Sequence, residues 1–89
     1  IALSGHLICA SAAEADLVRQ YLPDHIRLTL QEPGCLPFAV TPTVDPLVWQ
    51  VAETFRDRAA FDAHQARSRA SAWYQATHGI ERRFEVTGE

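Results

Sequence analysis

The chain has 89 residues, 47% hydrophobic and 21% charged, with a formal net charge of -3. That length allows one domain spanning residues 1–89, the composition argues against disorder, and the mild acidity with scattered arginines offers no basic stripe for nucleic acid or an anionic membrane. No apolar run approaches the roughly 18 to 20 residues of a membrane span and no signal-peptide pattern opens the chain. Cys9 and Cys35 have neither metal-ligand spacing nor the density of a disulfide scaffold, which points to the reducing cytoplasm.

Ala2 to Ala10 is short, apolar and partly alternating, the pattern of a first strand, and Ser11 can begin a turn. From Ala12 the spacing turns helical: Leu17, Val18, Tyr21, Leu22, Leu28 and Thr29 fall within one stripe, with Asp16, Arg19, Gln20, Pro23, Arg27 and Gln31 opposite. Pro23 removes one backbone bond but lies on the solvent side, so a bent helix survives it. Glu32, Pro33 and Gly34 end that helix.

Cys35 to Val40 reads as a second strand, Thr41 to Pro46 as a hairpin turn, and Leu47 to Phe55 as a third strand. Asp57 is an N-cap for an alanine-rich helical run from Arg58 to Thr77, whose length predicts a break near Arg67 and Ser68. After Gly79, Ile80 to Thr87 alternates as a half-buried fourth strand. The order βαββαβ is the ferredoxin-like α+β arrangement, a four-stranded antiparallel sheet with helices on one face. Several strands carry apolar residues on both sides, so the second face is expected to be covered, most commonly by a twofold partner.

Glu32, Pro33, Gly34, Cys35 and Leu36, followed by Glu53, Thr54 and Phe55 and then Ala60, Phe61, Asp62, Ala63 and His64, resemble the antibiotic biosynthesis monooxygenase domain. The similarity runs from about Leu3 to Val86. It implies a homodimer in which two sheets close a dimeric α+β barrel, with a pocket in each subunit between sheet and helices. Members studied as enzymes oxidise aromatic polyketides or quinols with molecular oxygen and need no cofactor, whether metal, flavin or haem. A haem-degrading branch relies on an Asn on the first strand, a Trp ending the third and a His on the second helix. This chain has no Asn at all, and its third strand ends in Phe55, so it departs from that branch.

Oxygen chemistry without a cofactor needs an electron-rich substrate, a base and a dry pocket. His25 lies in the apolar stripe, one turn after Tyr21 and one turn before Thr29, as a pocket base or as a core histidine bonded to a neighbour. His64 follows Phe61 by three positions and borders the same interior, as a base or as a helix-end residue. Glu53 can orient His64, or form an ion pair with Arg58, Arg82 or Arg83.

Trp73, Phe38, Trp49 and Tyr21 are candidate walls for a flat aromatic ring, or simply core. Arg67 and Arg69 belong to a solvated face or cap the pocket mouth. His6 and His78 are weaker candidates, and Cys35 reads as a small hydrophobe. The expected activity is cofactor-independent oxidation of a small aromatic or quinol substrate by molecular oxygen. A non-catalytic small-molecule-binding dimer and a proton-transfer isomerase or lyase are the alternatives.

Overall fold

The computed structural model describes residues 1–88. Its elements are β1 (Ala2–Ile8), α1 (Ala12–Leu30), β2 (Cys35–Pro42), β3 (Val48–Phe55), α2 (Arg58–Arg69), α3 (Ala72–Thr77) and β4 (Glu81–Thr87). The sheet order is β2-β3-β1-β4 with every pair antiparallel, the ferredoxin-like topology the element order predicts. Among the described residues no helix is long and apolar enough to cross a membrane.

Local chemistry sets the helix ends. Ser11 caps α1 by accepting the Glu14 N–H at 3.3 Å, while the Glu14 carboxylate accepts the Ala10 N–H at 2.7 Å. The buried positions Ala15, Val18, His25 and Thr29 keep helical spacing, and Pro23 lies on the exposed side of an unbroken α1. Asp57 caps α2 through the Ala60 N–H at 2.8 Å. The break after α2 falls at Ala70 and Ser71, three residues beyond the expected place, because Ser71 caps α3 by accepting the Tyr74 N–H. The Ser71 hydroxyl also donates to the Ser68 carbonyl.

β2 runs two residues further than its prolines suggest. As an edge strand it tolerates Pro37 and Pro42, which lack the N–H an interior strand would need. Cys35 pairs with Phe55 and Phe38 with Glu53, so three residues of β2 span two of β3. This bulge turns both Cys35 and Phe38 toward the helices, where unbroken alternation would have sent them to opposite faces.

The covered face of the sheet carries Leu3, Leu7, Trp49, Val51, Glu53 and Phe55, all buried. The other face presents Ser4, His6, Gln50, Ala52, Arg83 and Glu85, all exposed. The uncovered face is therefore mostly polar, with Ile8 and Val48 half-buried at one end, because in these registers most apolar residues of β1 and β3 point inward. β4 is more open than a half-buried strand: Phe84 and Val86 remain 36% and 38% exposed on the helix side.

Gly5 sits in β1 with φ of 151°, and a Cβ there would lie 1.9 Å from the Arg83 carbonyl oxygen of β4. Gly5→Ala is therefore expected to loosen the β1–β4 ladder and lower unfolding free energy by at least about 1 to 3 kcal/mol in denaturant titration. Unchanged stability would show that the two strands can separate there without cost.

Candidate functional site

Between the sheet and the helices lies a cavity of about 310 Å³, walled by Leu3, Leu7, Val51 and Glu53 from the sheet, by Phe61, His64 and Trp73 from α2 and α3, and by His25 from α1. Arg69, Tyr74 and Phe84 also line it. The buried stripe of α1 delivers His25, the inward alternation of β3 delivers Glu53, and the turn after Phe61 delivers His64.

His25 is 4% exposed and stacks on Trp73, with ring centroids 4.9 Å apart and planes at 14°. Phe38 meets its edge at 5.9 Å, and the His64 ring lies 5.8 Å away. The Nδ1 of His25 has no hydrogen-bond partner among the described residues. Burial pushes the His25 imidazole down to about 3, helped by the Arg67 and Arg82 guanidinium groups and by any proton His64 takes up, so the ring is neutral over the physiological range.

His64 sits between two carboxylates. Its Nδ1 is 2.8 Å from Glu32 Oε2, and its Nε2 is 3.6 Å from Glu53 Oε2. Glu32 therefore fixes the ring, and Glu53 faces the remaining nitrogen just beyond hydrogen-bond reach. Arg67 Nε donates to the other oxygen of Glu32, and Arg67 Nη2 donates to Thr29 Oγ1 at 3.0 Å. Burial holds the His64 imidazole below its ordinary value, against the opposing pull of Glu32.

Burial, reinforced by the negative charge of Glu32, pushes the Glu53 carboxyl up to about 7. Glu53 is neutral below that pH and His64, held below its ordinary value, is neutral above it, so their approach is not an ion pair. One ligand atom each from His25, Glu53 and His64 lies within 4.8 Å of the others, so the three can also serve as metal donors.

These positions revise the expected roles. The carboxylate bonded to His64 is Glu32, not Glu53, and among the described residues Glu53 is not paired with an arginine as the alternative had it: Arg58 pairs with Asp62, Arg83 pairs with Glu81 and Arg82 donates to the Thr77 and Ile80 carbonyls. Phe38 packs against the two imidazoles instead of facing the cavity. Trp49 is buried near the far end of β3, with the Arg19 guanidinium 5.8 Å above its ring. Tyr21 lines a separate cleft behind the His25–Trp73 stack. Of the four expected aromatic walls, Trp73 lines the cavity.

His6 lies exposed on the uncovered face of the sheet. His78 is the exposed C-cap of α3 and lies 3.1 Å from the Gln75 carbonyl. Cys35 is partly buried and its thiol is held above the ordinary value by burial. Arg67 belongs to the buried network, whereas Arg69 stands at the cavity edge. Of the other members of the network, Glu32 enters the sequence reading only through the family resemblance and Arg67 only as a solvated residue or a cap of the pocket mouth, neither as a partner of His64. Their signal was present as helical spacing: 25, 29 and 32 continue one stripe, and Arg67 follows His64 by three.

The fold and a buried acid–base cluster under a helical roof define a small α+β pocket protein. The chain belongs to the antibiotic biosynthesis monooxygenase family, whose model matches residues 8–76. No match is found among curated proteins. Its fold is similar to that of solved proteins described as candidate antibiotic biosynthesis monooxygenases. For the one from Nitrosomonas europaea, identity is 14%, coverage is 100% of this chain and 98% of that one, and the TM-score is 0.78. For Deinococcus radiodurans the figures are 24%, 100%, 94% and 0.70, and for Bacteriodes thetaiotaomicron they are 20%, 99%, 86% and 0.80.

Glu53 also supplies a stability test. Its carboxyl titrates near 4.5 when unfolded and near 7 when folded, so the folded state holds a proton that the unfolded state releases. The wild type therefore loses stability as pH rises from about 4.5 to 7. Gln is a neutral isostere without that loss. In chelator-treated protein, Glu53→Gln is expected to gain on the wild type by roughly 2 to 3 kcal/mol between pH 4 and pH 8. A stability difference that does not vary with pH would place the ionised carboxylate in contact with water.

Proposed function

We propose that this protein oxidises a small, flat phenol or quinol with molecular oxygen, using the Nε2 of His64 as the proton acceptor. The single observation that carries the reading is the imidazole of His64, held through Nδ1 by Glu32 while Nε2 faces Glu53 at the cavity wall. A histidine whose one nitrogen donates to a carboxylate presents a lone pair of fixed direction on the other. Trp73, stacked on His25, offers a rigid aromatic wall for a planar ring, with Leu3, Leu7, Val51 and Phe61 as apolar lining beside it.

Proton loss makes the bound phenol an electron donor. Oxygen then takes four electrons from the substrate: one oxygen atom enters the ring and the other leaves as water, so a benzene diol and O2 give a hydroxyquinone and H2O. His64 takes the first proton, with Glu53 Oε2 3.6 Å from the nitrogen that receives it.

In this reading the protein is a homodimer, paired through the uncovered sheet face. A chain this short buries only about 60 to 65% of its unfolded surface, and association adds to that burial. Sedimentation equilibrium is expected to return twice the chain mass, and a monomer at micromolar concentration would remove the dimer from the reading.

The activity is tested by oxygen uptake with a panel of hydroquinones, using chelator-treated protein. His64→Ala is expected to lower kcat by about 10² to 10⁴-fold. Glu32→Gln should lower it less, with KM nearly unchanged, because Glu32 positions the base without touching substrate. Uptake unaffected in His64→Ala defeats the assignment of the base. Turnover that continues without oxygen means proton transfer alone, and a bound ring that is never consumed means a binding protein.

A further inference from the structure

We propose that His25, Glu53 and His64 form a binding site for one divalent first-row transition metal ion, with open coordination positions facing the cavity. The inference does not need the preceding reading, and a bound metal ion takes the same His64 Nε2 lone pair that accepts the proton there.

The donors are two imidazoles and one carboxylate, each less than 10% exposed, brought together from α1, β3 and α2. Their ligand atoms lie within 4.8 Å of one another, so some point lies no more than about 2.8 Å from all three (4.8 divided by √3), against metal bonds of about 2.0 to 2.2 Å. Movements of under about 1 Å complete three bonds. Three protein donors of this type leave the remaining positions to water or a ligand, as in metal sites that do chemistry.

Two further observations point to a ligand here. His25 is 4% exposed, yet its Nδ1 meets no hydrogen-bond partner among the described residues, an arrangement a buried polar atom rarely keeps. His64 is already oriented as a metal-binding histidine is, with Nδ1 held by a carboxylate and Nε2 turned toward the remaining donor. Glu32 is fixed in turn by Arg67, so the outer support of the site is in place. Two imidazoles with one carboxylate suit zinc, cobalt or iron better than magnesium or calcium, which take oxygen donors.

The test uses chelator-stripped protein titrated with Zn²⁺ by calorimetry and with Co²⁺ by visible absorption. The expected result is one saturable equivalent per chain, with the intense visible band of four- or five-coordinate cobalt. Glu32→Gln should weaken affinity tenfold to a hundredfold without changing stoichiometry. His25→Gln and Glu53→Gln should each weaken it by more than a hundredfold. In unmutated protein, substoichiometric Co²⁺ should shift the ring-proton resonances of His25 and His64 but not those of His6 and His78, a readout that does not depend on any variant folding. No saturable binding, a six-coordinate aquo spectrum, or unchanged affinity in His25→Gln overturns the proposal. Oxygen uptake is measured on stripped protein, so that reading and this one fail separately.

Discussion

The carboxylate of Glu32 is the joint on which the site is built. It lies just past the end of α1 and takes hydrogen bonds from His64 and Arg67, both on α2. Arg67 also donates to Thr29, whose hydroxyl donates to the His25 carbonyl one turn earlier. These charge-assisted bonds tie the C-terminal end of α1 to the second half of α2 and fix the direction of the His64 ring. Breaking one member of such a group leaves its partners buried and unsatisfied, which costs more than the bond itself contributes. The group therefore holds together or fails together.

Around that joint the protein gives up apolar packing. Leu3, Leu7, Val51, Phe55 and Phe61 form an ordinary core, yet the same layer contains His25, Glu53 and His64 and leaves a cavity beside them. For 89 residues, whose apolar burial is limited, three ionisable groups in the interior oppose stability. Local rules broken at one place in an otherwise consistent fold mark a functional site. The bulge in β2 belongs to the same place, because it turns Phe38 onto both imidazoles.

Much of the architecture can be read in the chain because it depends on near neighbours. The βαββαβ order, the caps at Ser11 and Asp57 and the inward placing of His25 follow from spacing over a few residues. Where the reading differs from the structure, a distant partner decides. Pro42 is admitted to β2 because that strand lies at the edge, Tyr21 falls behind the stack that α3 makes by bringing Trp73 against His25, and Trp49 lies near the far end of β3 under Arg19.

Outside the bulged β2, the amino-acid sequence by itself settles which residues face inward on a helix or strand, since periods of 3.6 and 2 are properties of a single element. It thereby nominates His25, Glu53 and His64. Tertiary structure decides which inward residues meet. Glu32 and His64 are separated by 32 positions, and only the path of the β2–β3 hairpin, with α2 laid back across the sheet, brings carboxylate and imidazole to 2.8 Å.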